Sequence, residues 1–109
     1  MGAEVFFRES NGKTPEEAFE KGVNEALEEF GCRGYTGSLA EKQSYVLIDL
    51  PEKEDPYEFA NKLIDQDDSR IDDKWGPAGC LDISETPHAF KAEGPVEEKS
   101  FLFFGWAST

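Results

Sequence analysis

The sequence predicts an α+β domain, a two-layer sandwich with helices on a mainly antiparallel sheet. Two segments, T-P-E-E at 14–17 and D-P-Y-E at 55–58, read as helix starts and lead into apolar residues at helical spacing. Around them lie short runs rich in β-branched and aromatic residues, bounded by Gly and Pro. The chain has 109 residues, 38% of them hydrophobic and 13% aromatic, which suits one domain around a single core.

Taken in order, E-V-F-F-R-E at 4–9 reads as a first strand, and Ser10 to Lys13 as a turn. Thr14 caps the first helix, with Pro15 at its first position and Glu17 at its third. Phe19, Val23, Leu27 and Phe30 form its apolar stripe, and Gly31 stops it. A glycine-punctuated connector at 34–38 leads to a short strand near 37–42. Y-V-L-I-D-L at 45–50 is nearly continuous in apolar residues, which predicts a central buried strand ended by Pro51. Asp55, Pro56 and Glu58 then open a second helix, with Tyr57, Phe59, Ala60, Leu63 and Ile64 inward. G-C-L-D-I-S at 79–84 alternates as a strand, residues 85–98 form a polar loop, and 100–107 is a last, very apolar strand. The order β-α-β-β-α-β-β matches the split plan of ferredoxin-like folds with one added C-terminal strand.

The formal charge is −13, from 24 acidic and 11 basic residues. Both halves of the chain share it, with no acidic tail and no basic arm. Direct nucleic-acid binding is not expected, because neutralising phosphates needs clustered Lys and Arg. Anionic membranes are disfavoured for the same reason, and no stretch approaches a membrane span. No secretory leader is visible in M-G-A-E-V-F-F-R, and Cys32 and Cys80 lack metal-knuckle spacing. A cytoplasmic location with free thiols is the expectation.

Five aspartates fall between Asp65 and Asp73, in the run D-Q-D-D-S-R-I-D-D-K-W-G-P-A-G-C that ends at Cys80. Counted as a calcium loop, Asp65, Asp67, Ser69 and Asp73 take ligand positions. Arg70 then stands where the loop wants Gly, and Gly76 where it wants the bidentate Glu. Those four residues are the candidate ligands of a Ca²⁺ site outside the EF-hand pattern. The competing reading is a solvated helix end in which Arg70 and Lys74 pair locally. Trp75 before Gly76-Pro77 either folds back as a lid on the core or joins Tyr35 in an aromatic recognition patch, with Asp72, Asp73 and Lys74 beside it.

Catalytic signals are few. G-x-S-x-G, H-E-x-x-H and phosphate-cradling glycine loops do not occur. Cys80 on a strand reads as an inert thiol, and His88, the single histidine, as an exposed loop residue. Asp49 and Asp82 pair only if their strands are adjacent and share a face. Phe101 to Trp106 is apolar on both faces, so its outer face needs a cover, either the 85–98 loop or a second subunit. This predicts a homodimer through the C-terminal strand.

Three segments, G-Y-T-G-S-L-A-E-K at 34–42, D-K-W-G-P-A-G-C at 73–80 and F-L-F-F-G-W-A-S-T at 101–109, together resemble a family of small prokaryotic proteins of unknown function, some of them phage-associated. The resemblance implies a cytoplasmic accessory or inhibitory protein and carries no activity or site residue. The expected function is a non-enzymatic acidic binding or regulatory module that engages a protein partner, basic by charge complementarity. A divalent-cation-binding protein and a small enzyme built on Cys80 or Asp82 are the alternatives.

Overall fold

The structure, a computed structural model, describes residues 2–31, 36–84 and 99–108. Cys32, Tyr35, His88 and the expected 85–98 loop lie outside the described residues.

Both helices start where local chemistry places them. In α1 (Pro15–Phe30) the Thr14 hydroxyl accepts the Glu17 N–H at 3.2 Å, and Gly31 closes the helix at φ 84°. In α2 (Pro56–Asp65) the Asp55 carboxylate accepts the Glu58 N–H at 3.0 Å. The inner face of α1 is narrower in side chain than its apolar stripe suggests. Ala18, Phe19, Gly22 and Ala26 are buried, whereas Phe30 is exposed. Small residues let the helix approach the sheet closely.

Four described strands build one mixed sheet: β1 (Ala3–Gly12), β2 (Tyr45–Leu47), β3 (Ala78–Asp82) and β4 (Lys99–Ser108), in the order β1-β4-β3-β2. β4 runs antiparallel to both β1 and β3, while β2 is parallel to β3. The α+β class and the mainly antiparallel sheet agree with the sequence, and three expectations need correction. The strand expected at 37–42 is a 3-10 turn at Leu39–Glu41, because Ser38 Oγ accepts the Ala40 N–H at 3.2 Å and curls the chain. The run 45–50 is a three-residue edge strand rather than a central one. Val46, Ile48 and Leu50 pack on the apolar cluster, while Leu47 is 55% exposed and Asp49 is exposed. The ferredoxin-like order with an added strand does not form either. β2, α2 and β3 make a direct β-α-β unit with no strand inserted between its parallel pair, and β1 lies at the opposite edge.

The first strand also runs longer than expected, since Ser10, Asn11 and Gly12 pair with Phe101, Ser100 and Lys99. Alternation along β4 then sorts the core onto two faces. Phe101, Phe103 and Ala107 pack with Phe6, Phe19 and Leu39 under α1. Leu102 and Phe104 pack with Leu63, Ile64, Ile71 and Leu81 under α2. Each helix therefore layers on the sheet as expected, but on a face of its own. Ties from β1 agree. Arg8 reaches Glu29 of α1 at 2.6 Å, while the Tyr57 hydroxyl of α2 donates to Glu9. Burial and the Glu9 carboxylate both push the Tyr57 phenol up.

This arrangement explains the two-sided apolarity of the last strand. α2 covers the face assigned to a loop or a second subunit, and both edges of β4 are already paired. A second subunit is not needed to cover the C-terminal strand.

Gly79 of β3 faces Phe104 across the ladder, and an added Cβ there would stand 2.6 Å from the ring. Gly79→Ala is expected to destabilise the fold by about 1–3 kcal/mol through overpacking, read as a lower urea midpoint at unchanged slope.

Candidate functional site

The aspartate run leaves α2 through a tight exit. Asp67 takes a positive φ of 51°, and its N–H and that of Asp68 bond back to the Ile64 and Leu63 carbonyls at 3.1 Å. Asp68 then accepts the Arg70 backbone N–H at 3.0 Å and its guanidinium at 2.9 and 2.8 Å. Those hydrogen bonds hold the Asp68 carboxyl at about 2, well below the usual carboxylate range. Ile71 follows and is buried in the α2-side core, anchoring the middle of the loop. Of the local pairing expected for Arg70 and Lys74, the Arg70 half is met, with Asp68 as partner, while Lys74 Nζ reaches the Gly2 carbonyl.

Beyond Ile71 the chain makes a second turn. Asp73 Oδ1 accepts the Trp75 N–H at 2.8 Å, and its carbonyl accepts the Gly76 N–H at 2.9 Å. A side chain at Gly76 would meet Asp73 Cβ at 3.1 Å, so glycine suits the close approach. Asp72 and Asp73 are exposed, and Trp75 is 62% exposed, which corrects its reading as a lid on the core. Lys74 Nζ lies 5.5 Å from the Trp75 ring centroid and 3.4 Å from the Gly2 carbonyl. Asp72, Asp73, Lys74 and Trp75 thus share one turn, while Tyr35, their expected aromatic companion, lies outside the described residues.

The candidate calcium ligands are not brought together. Asp65 ends α2, Asp67 and Ser69 follow in successive turns, and Asp73 braces the Trp75 turn. Among the described residues no three of His, Cys, Asp or Glu converge as a cation site.

The residue that sequence reasoning missed is Lys42. The residue is 4% exposed, and its Nζ donates to the carbonyls of Gly76 at 2.9 Å and of Asp73 and Lys74 at 3.3 Å. The ammonium stands where a bound cation would stand, gathering three carbonyls of the Trp75 turn. The segment that carries it is itself fixed: Glu41 accepts the Thr36 N–H and hydroxyl at 3.2 and 2.7 Å, and the Gly37 N–H reaches the Ser108 carbonyl at 2.8 Å. The signal for this turn was present in Ser38-Leu39-Ala40-Glu41, an S-x-x-E capping pattern. No local pattern marks Lys42 as buried, because its acceptors lie more than thirty residues away.

The two remaining candidates from the sequence lie toward the other end of the sheet. Leu47 pairs with Cys80, and two residues further along both chains stand Asp49 and Asp82, which line one cleft. Asp82 ends β3, whereas Asp49 lies two residues past β2, so the pair borders the cleft without both standing on adjacent strands. Cys80 is fully buried under α1, and burial, with Asp82 adding to it, pushes its thiol up to about 12. Such a thiol does not serve as a nucleophile near neutral pH. No helix among the described residues is long and apolar enough to cross a membrane.

Two outcomes follow from these environments. Burial lowers the Lys42 amine from 10.5 to about 8, with Asp73 opposing. Between those pH values the unfolded chain keeps a proton that the folded chain has lost, so this group makes stability rise with pH. Urea denaturation of wild type and Lys42→Met is expected to show the wild-type advantage growing by about 1–3 kcal/mol from pH 7 to pH 10. Mass mapping after iodoacetamide treatment is expected to find Cys80 modified more than ~100-fold slower in the native chain than in urea.

No family model, curated protein or solved structure matches the chain, so its own residues carry the functional reading.

Proposed function

We propose that the chain is a non-enzymatic binding module that engages a basic protein partner through the 72–75 turn. The observation that carries this reading is an exposed Trp75 on a turn whose backbone is held from beneath by Lys42. A large aromatic side chain on a pre-ordered backbone loses little conformational entropy on binding, and tryptophan is enriched among residues that dominate interfaces. Asp72 and Asp73 beside it supply a negative rim, and the net charge of −13 attracts a basic partner over longer range.

Affinity capture from extracts of the source cell, using wild type and Trp75→Ala side by side, tests the reading. A specific basic protein recovered by wild type, at least about tenfold less by the variant, and released by raising salt to roughly 1 M is the expected outcome. Equal recovery by both proteins would sink it.

A further inference from the structure

β2 is an edge strand, and the phase of its ladder decides where its backbone groups point. Ala78 N–H donates to the Ser44 carbonyl at 3.0 Å, and Ile48 N–H donates to the Cys80 carbonyl at 2.9 Å. In a parallel pair this phase turns Ser44, Val46 and Ile48 toward β3, and the N–H and C=O of Tyr45 and Leu47 away from it. No described strand lies on that side.

The chain then runs from this edge into an open cleft of about 980 Å³ at the carboxyl ends of β2 and β3. Leu47, Ile48 and Leu50 give it apolar walls, with Leu47 second only to Trp75 in exposure among the described large hydrophobic residues. Its charged lining among the described residues is one-sided: Asp49, Glu52, Glu54, Asp55 and Asp82 contribute against Lys53 alone. An edge with outward hydrogen-bonding groups, an exposed leucine and a negative trough beside it has the features of a strand-addition site.

We propose that this edge binds an extended peptide segment bearing lysine or arginine, which adds as a strand beside β2 and sets its cationic side chains over the cleft carboxylates. Charge selects this occupant. A second copy of the chain, at −13, brings like charge to the same trough, and an acidic peptide does the same. The apolar stems of Lys and Arg can lie along Leu47 and Leu50 while their heads reach Asp49 and Asp82. This site runs along β2 to the cleft beyond the carboxyl ends of β2 and β3, whereas Trp75 precedes β3, and it does not depend on the 72–75 turn.

The test is titration of the full-length ¹⁵N-labelled chain with the peptide acetyl-Lys-Val-Lys-Val-Lys-amide, followed by amide chemical shifts. Saturable shifts concentrated at residues 45–55 and at Asp82 are expected, with Trp75→Ala binding as wild type does. Leu47→Lys, which puts a positive charge on the edge, is expected to weaken binding at least tenfold. Asp49→Asn with Asp82→Asn is expected to do the same while keeping the dispersed spectrum of a folded chain. Shifts spread over the whole acidic surface without saturation, shifts confined to 72–75, unchanged binding by Leu47→Lys, or equal binding of acetyl-Glu-Val-Glu-Val-Glu-amide would each overturn the proposal.

Discussion

The constraint on which the structure depends is the two-sided apolarity of β4. Phe101, Leu102, Phe103 and Phe104 are consecutive and fully or almost fully buried, so both faces of one strand must be kept from water. A strand can meet that demand only in the interior of a sheet with a layer on each side. The chain satisfies it by placing β1 and β3 on the two edges of β4 and one helix over each face. With the faces occupied, the 72–75 turn precedes β3 and the open cleft lies beyond the carboxyl ends of β2 and β3.

How much of this was legible follows from the range of each interaction. The helix starts at Thr14 and Asp55 were readable because a cap is a contact between residues three apart. The β4 run announced its own burial by composition. Strand order was not readable, because it is set by which runs meet across dozens of residues. Y-V-L-I-D-L looked more continuous than it is: Val46, Ile48 and Leu50 pack on the α2 side and Tyr45 on the α1 side, while Leu47 is left exposed. Ser38 to Glu41 was misread for a different reason. The glycine-punctuated connector before it was expected to lead into a strand, yet the S-x-x-E pattern at its start was the stronger local signal.

The site divides in the same way. Asp72, Asp73, Lys74 and Trp75 are contiguous, so the sequence alone places them together. Lys42 belongs to the site only through the fold, and its burial is costly unless its protons find acceptors. Three backbone carbonyls from one turn supply them. That exchange works in both directions, since the turn gains a rigid backbone and the amine gains acceptors within an apolar setting beside Phe6, whose ring centroid is 6.0 Å away.

The crowding of aspartates is resolved by the same residues. A run of five carboxylates calls for cations, and the chain supplies them from within: Arg70 for Asp68, and Lys42 beneath the Asp73 turn. Arg70 neutralises a carboxylate, whereas Lys42 bonds to carbonyl oxygens and leaves the carboxylates of Asp72 and Asp73 outside. The internal cation therefore fixes the shape of the loop without cancelling its outward charge. A loop neutralised by a bound divalent ion would present the opposite balance, ordered but with its carboxylates turned inward. Order from a tethered ammonium, combined with charge retained at the surface and an exposed Trp75 on the same turn, is what the proposed basic partner would require.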